Sequence, residues 1–569
     1  MTDSNNSPPP ADHGARPLFD RRTLLKGAGV AGAIAATARA DAQTSTQKPV
    51  RYMRTPESRQ REQVTLGELP ALPPLEVIAL NRMGFGPLPG ELEAFRALGD
   101  SDEARLQGYV EQQLNPQAID DSEFETRLTA LGLTTLTKTR AQLWADHVTA
   151  NPEWSVRIQP VRETTQAAFL RGVYSRRQLV EVLADFWHNH FSVYGWGYWI
   201  GPVFVDYDRD VIRAHMFGNF REMLEAVATH PAMLYYLDNH SSSDGGPNEN
   251  YTRELFELHT LGAEHYLGVM AQKEVPTDEN GLPIGYVDND IYEATRCFTG
   301  WRVASGDDTS NDGSFYYRED WHDRFQKLVL GQFIPNDQEA MKDGRDVLDL
   351  LAAHPGTGRH IARKLCRRFI SDTPPERIVE EAAAVFTANV NASDQLTQVV
   401  RTILLSPEFS STWGEKIKRP FELFCSVLRA TDATYTPTDS MWWYDQTGHE
   451  LFSWPAPNGY PDFKEDWSST MPMLQRWRMI NRIINGVDGI QLDILNRSPS
   501  SGSANELTDL WTNHILGRPM SEANRTEIVY FMADGRGGDI PFDLTDEEHS
   551  ERLRHMVGLI LLSPDFQWR

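Results

Sequence analysis

The chain has 569 residues, of which 40% are hydrophobic, 24% charged and 10% aromatic. That composition excludes a wholly disordered polymer, a collagen-like repeat and a polytopic membrane protein. With 55 Lys and Arg against 80 Asp and Glu the net charge is −25, so a phosphate backbone is repelled and no general nucleic-acid binding is expected.

The first forty residues read as an address. A polar, Pro-rich stretch over 7–17 leads into Asp20-Arg21-Arg22-Thr23-Leu24-Leu25-Lys26, an Ala/Gly-rich apolar run, and Ala38-Arg39-Ala40. Paired arginines, apolar run and small-residue cleavage site in this order are the layout of a twin-arginine export signal. The apolar run falls short of the ~20 residues a membrane span takes. Cleavage after Ala40 leaves Asp41 first and a mature protein in the periplasm or beyond, without a transmembrane segment. The competing reading is a short buried helix in a cytoplasmic protein.

Residues 41–74 are polar and proline-bearing and read as a disordered linker. From Leu75 onward apolar residues recur at three and four spacing, which predicts helices over 139–148, 160–190, 209–229, 248–262, 290–299, 357–371, 376–390 and 395–406. Alternating strand patterns are scarce, with short hairpins expected within 265–288 and 302–331. The fold class is therefore mainly α, a large multi-helical body with long loops. Ile403-Leu404-Leu405-Ser406-Pro407-Glu408-Phe409 recurs as Ile560-Leu561-Leu562-Ser563-Pro564-Asp565-Phe566. In both copies an apolar helix runs into Ser-Pro, which stops it. The repeat divides the expected body into two helical lobes, 75–415 and 416–569. Three cysteines, Cys297, Cys366 and Cys425, cannot make a disulfide framework and allow at most one bridge.

Four clusters could carry chemistry. On a helix, Glu181, Asp185 and His188 share a face and His190 points away; in an extended segment His188 and His190 would share a side instead. The run Asn248 to Gly262 reads as a capped helix with Glu254 and Glu257 on one face, and Arg253 placed to pair with Glu257. Were these two helices to pack together, Asp185, His188, Glu254 and Glu257 could bind a divalent metal such as zinc, iron or manganese. His190, His259, His322 and Asp323 are then acid/base or supporting candidates, oriented by Asn250 and Arg253. Arg363, Lys364, Arg367 and Arg368 form a basic strip that lies in solvent, meets an internal carboxylate face or holds an anionic group. The loop over 432–468 threads Trp442, Trp443, Trp454 and Tyr460 among prolines. Rigidly held rings of this kind either plug an interface or stack on sugar rings, which suits a polysaccharide substrate. Phosphate-cradling, dinucleotide, serine-hydrolase and C-x-x-C motifs do not occur.

Asn81-Arg82-Met83-Gly84-Phe85-Gly86-Pro87, Asp185-Phe186-Trp187-His188-Asn189-His190-Phe191, the run Asn248 to Gly262, Thr299-Gly300-Trp301, His322-Asp323 and His360-Ile361-Ala362-Arg363-Lys364-Leu365 follow in this order. Over residues 75–569 the chain resembles the bacterial family catalogued as domain of unknown function 1800. The resemblance implies export and a partner encoded nearby, an exported protein related in fold to sulfatases and alkaline phosphatases. It implies no settled activity. Two functions fit the residues and the resemblance: an exported hydrolase-like enzyme acting on an envelope or extracellular polymer, metal-dependent if Asp185, His188, Glu254 and Glu257 converge, or a non-catalytic periplasmic assembly or binding factor that works with the partner the resemblance implies.

Overall fold

The computed structural model describes residues 71–306, 309–438, 441–487 and 489–569. The expected export signal and residues 41–70 of the expected linker lie outside this range. Helices dominate the described chain, joined by short antiparallel strand pairs. No described helix is long and apolar enough to cross a membrane.

The first described helix, α1 (Leu75–Arg82), is buried almost throughout, including Asn81 and Arg82. The helix expected over 160–190 is two: α2 (Gln159–Tyr174) and α3 (Gln178–Phe191). The break has a tertiary cause. Ser175 is extended at ψ 137°, and the Asp121 carboxylate accepts from its hydroxyl and from the Arg176 amide, each at 2.7 Å. The segment expected to be helical over 209–229 passes through a π-turn, Tyr207–Ile212, before α4 (Phe220–Thr229) starts at the Asn219 cap. The run 248–262 is likewise divided, into α5 (Asn250–Glu254) and a π-turn at Leu255–His259. Such wide turns recur at functional sites and re-aim the side chains that follow.

After α6 (Asp288–Cys297), β1 (Trp301–Ser305) pairs with β2 (Asn311–Tyr317) and β3 (Lys327–Val329) with β4 (Gln332–Ile334). The hairpins expected near 302–331 are therefore present. Residues 265–288 hold isolated bridges at Tyr266 with Tyr286 and Thr277 with Pro283 instead of a strand pair. Four successive helices follow: α7 (Lys342–Ala353), α8 (Pro355–Phe369), α9 (Glu376–Ala388) and α10 (Gln395–Leu404). The chain continues through α11 (Pro420–Ala430), β5 (Thr434–Tyr435), α12 (Trp442–Asp445), α13 (Thr470–Ile484), β6 (Ile490–Gln491) and β7 (Ser501–Ser503). Then come α14 (Ala504–Leu516), α15 (Glu522–Ala533), β8 (Pro541–Asp543) and α16 (Glu547–Leu562), and a last short helix, α17 (Pro564–Gln567).

Helix α11 is buried along its whole length. Its Ser426 hydroxyl donates to the Phe85 carbonyl at 2.7 Å, and Arg429 donates to the carbonyls of Gly86 and Val173 at 2.6 and 2.7 Å. Helices on both sides of residue 416 share one hydrophobic core. The repeated Ser-Pro motif is structural in both copies: Ser406 and Ser563 each donate to the isoleucine carbonyl three residues back at 2.7 Å, and Phe409 and Phe566 are buried. All three cysteines are free and buried.

Candidate functional site

The C-terminal end of α3 is where the aromatic loop docks. The Asn189 amide donates to the Tyr460 carbonyl at 2.9 Å and accepts from its N–H at 2.7 Å. Ser192 donates to the Ala456 carbonyl at 3.0 Å, and the Trp196 indole to that of Leu451 at 3.1 Å. Gly459, at φ +73°, makes the approach possible, because a Cβ there would sit 2.3 Å from the Asn189 carbonyl. Backbone-to-backbone contact this close, with left-handed φ, admits glycine alone at low cost.

Between loop and helix lies a small pocket lined by Asp185, His188, His449, Trp454 and Tyr460 among others, with a volume of about 30 Å³. At ~10–15 Å³ per water it holds about two solvent molecules, not a sugar ring. Helical geometry directs His188 and His190 apart as expected. His188 Nε2 lies 2.9 Å from Asp208 Oδ1. Asp208 is in turn gripped by Arg213 Nε at 2.9 and 3.0 Å, and Arg213 also forks onto Glu181 at 2.8 and 2.9 Å. Burial opposes the charge on Asp208. Arg213, His188 and Arg171 outweigh it and hold the carboxyl well below its usual range. An ionised Asp208 fixes the tautomer with the proton on Nε2 and leaves Nδ1 as an acceptor.

Asp185 stands on the same wall in a different electrostatic state. Arg419 contacts it directly and Arg368 lies at 3.6 Å. Burial pushes this carboxyl up, but Arg419 and Arg368 leave it below its ordinary value. Both arginines also bind Glu422, as does Arg569 at 3.2 Å, and Lys416 joins Asp372 at 2.6 Å. His449 is buried in this field, and burial, reinforced by Arg419, drives its imidazole down to about 3, hence neutral. The basic strip of α8 divides accordingly. Arg363 pairs at the surface with Glu376, whereas Arg368 is internal and meets a carboxylate face.

On the far side of α3, His190 Nδ1 lies 2.9 Å from Lys364 Nζ and Nε2 lies 3.2 Å from the His259 carbonyl. The His190 ring is 6.0 Å from that of His259 and 6.4 Å from that of His360. The two predicted histidines from separate stretches do therefore meet, though without Asp185 or His188. His360 reaches Glu264 at 3.2 Å across Gly262. Burial and the neighbouring cations hold all three rings below their normal pKa, His259 at about 3. Burial and Arg367 bring Lys364 down to about 8.

The remaining predicted residues have other partners. Arg253 binds Glu249 at 2.9 Å, Asp288 at 3.4 Å and Glu257 at 3.6 Å, and Glu254 faces Tyr236. Asn250 is exposed, its N–H on the Asn248 side chain. His322 contacts Asp343 at 3.2 Å, Asp323 is forked by Arg296 at 2.7 and 3.0 Å, and Lys327 joins Asp343 at 2.5 Å. These pairs tie α6, β3 and α7 together. The four predicted aromatic residues split as well: Trp454 and Tyr460 line the small pocket, and Trp442 and Trp443 line a separate open groove. Asp208, His449 and Arg419 carry no signal in the sequence, because the place of each depends on contacts with distant segments.

Among the described residues no group of three or more His, Cys, Asp or Glu is placed to hold a metal ion. Asp185 is committed to two guanidiniums and His188 to Asp208, while Glu254 and Glu257 belong to the Arg253 and Tyr236 surroundings. These residues do not fit a shared divalent ion.

A sequence profile described as Protein of unknown function (DUF1800) matches residues 78–568, and the chain belongs to that family. No curated protein and no solved structure matches it.

Proposed function

We propose that the protein is an exported, hydrolase-like enzyme acting on an envelope or extracellular polymer, with His188 as its proton-transfer group. The observation that carries this reading is that His188, held by Asp208 behind it, lines a water-sized pocket together with Trp454 and Tyr460. Nδ1 of His188 takes a proton from a pocket water as the water oxygen attacks the substrate, and the imidazolium then returns that proton to the leaving atom. Asp208 stays ionised throughout and stabilises the imidazolium. Trp454 and Tyr460 offer ring faces to a sugar at the mouth. No step is routed through a metal. The paired arginines, apolar run and Ala38-Arg39-Ala40 support export to the periplasm or beyond.

The non-catalytic reading, an assembly or binding factor for a co-encoded sulfatase-like partner, draws on one observation: the carboxylates Asp185, Glu422 and Asp372 are all neutralised by buried cations, as in a structural network. Assaying the mature protein and its His188→Asn variant against envelope and extracellular glycans, with and without chelator, separates the two. Turnover lost in the variant at unchanged melting temperature supports the enzyme; no turnover on any glycan supports the factor.

A further inference from the structure

On the opposite side of the aromatic loop, α12 and α13 enclose an open groove of about 520 Å³. Its lining holds two arginines and no carboxylate. Gln475, Arg478, Asn481, Arg482 and Asn485 project along it from α13 and just beyond, with Trp442 opposite. Trp442 is 56% exposed, and the Arg482 guanidinium stacks over its ring at 4.6 Å.

Neither Arg478 nor Arg482 forms a salt bridge or hydrogen bond among the described residues. The two stand four apart, one turn of helix, where like charges repel and lower helix stability. Arg377 and Arg221, by contrast, are matched at helical spacing by Glu381 and Glu225. An unmatched pair flanked by side-chain amides and an exposed indole has the complement of an anionic, hydroxyl-rich chain. The Trp442 face that Arg482 does not cover takes a sugar ring, the guanidiniums fork onto carboxylates, and the amides meet hydroxyls. The net charge of −25 opposes any polyanion at long range, so binding falls to the local guanidiniums, and the side-chain amides favour a hydroxyl-rich chain.

We propose that this groove binds an acidic polysaccharide of the uronate type. The identity of the ligand as a polymer rests on the function proposed above; binding itself does not depend on turnover. Calorimetric titration of the full mature protein with a galacturonic acid hexamer tests it, using a neutral glucose hexamer and a single-stranded oligonucleotide as comparisons. The acidic hexamer is expected to bind, the neutral one at least about tenfold more weakly, and Arg478→Gln/Arg482→Gln to lose about tenfold in affinity. Trp442→Ala weakens both sugars, raised salt weakens the acidic one, and His188→Asn binds like the parent. Trp442, Arg478 and Arg482 are exposed, so a cooperative melt no lower than the parent's shows that those variants fold, and the same melt checks His188→Asn. Equal affinity for both hexamers, preference for the oligonucleotide, no binding, or full affinity in the double-arginine variant overturns the proposal. Loss of turnover with binding intact concerns His188 alone.

Discussion

Nε2 of His188 sits 2.9 Å from Oδ1 of Asp208, and Asp208 is clamped by Arg213. The clamp matters because it keeps the carboxylate charged inside the protein. Asp208→Asn keeps the shape and removes the charge, so the ring is free to adopt the other tautomer. Turnover should fall about 10²–10⁴-fold in both Asp208→Asn and His188→Asn. Asp208→Asn should in addition lose about 1–3 kcal/mol of stability, because Arg213 is left with Glu181 alone as its charge partner. Steady-state kinetics beside thermal melts check both. Full activity in either variant contradicts the assignment.

The buried histidines make stability sensitive to acid. His190, His259 and His360 are held below 6.5 by burial, His259 at about 3. Between that value and about pH 6.5 the unfolded chain binds protons that the native chain does not. Stability therefore rises with pH across this window and is lost as pH falls through it. Each such ring contributes a slope of about 1.4 kcal/mol per pH unit where it alone titrates. Denaturant unfolding at stepped pH from 4 to 7 should show a shallower slope in His259→Leu than in the parent. An identical slope would contradict the neutral-histidine account.

Gly459 is where the aromatic loop meets α3. Alanine there combines an unfavourable φ of +73° with a Cβ 2.3 Å from the Asn189 carbonyl. Gly459→Ala should cost about 1–3 kcal/mol and free Tyr460 from its two bonds to Asn189. Protease nicking within 449–467, slow in the parent and fast in the variant, reports the release. Unaltered nicking and stability would show that the contact does not anchor the loop.

The two Ser-Pro copies differ in one bond. Ser406 also accepts from the Phe409 amide at 3.3 Å, a capping bond that Ser563 does not make. Ser406→Ala should lose about 1 kcal/mol and Ser563→Ala less. Chemical denaturation of the two variants resolves the order, and a reversed order would contradict the capping argument.

Local patterns in the chain foretell local structure. The face of Glu181, Asp185 and His188 and the divergence of His190 follow from 3.6 residues per turn, and both Ser-Pro stops are visible as repeats. Partners are another matter. Asp185 finds Arg368 and Arg419, and His188 finds Asp208, across tens to hundreds of positions. Ion pairs at such separation leave no spacing signal. The helix break at Ser175 is hidden for the same reason, since Asp121 causes it from outside. The π-turns at Tyr207–Ile212 and Leu255–His259 shift side-chain register after an ordinary helical start. The aromatic run over 432–468 reads as one unit, yet α12 and the Gly459 contact turn its rings toward two different cavities.

Reducing-end release from a panel of envelope and extracellular polysaccharides, by the mature protein and by His188→Asn at matched stability, tests the central claim most directly. Turnover on at least one glycan by the parent, unaffected by chelator and reduced at least about a hundredfold in the variant, is the predicted result. Equal rates from parent and variant, or a parent rate abolished by chelator and restored by zinc, iron or manganese, would contradict it.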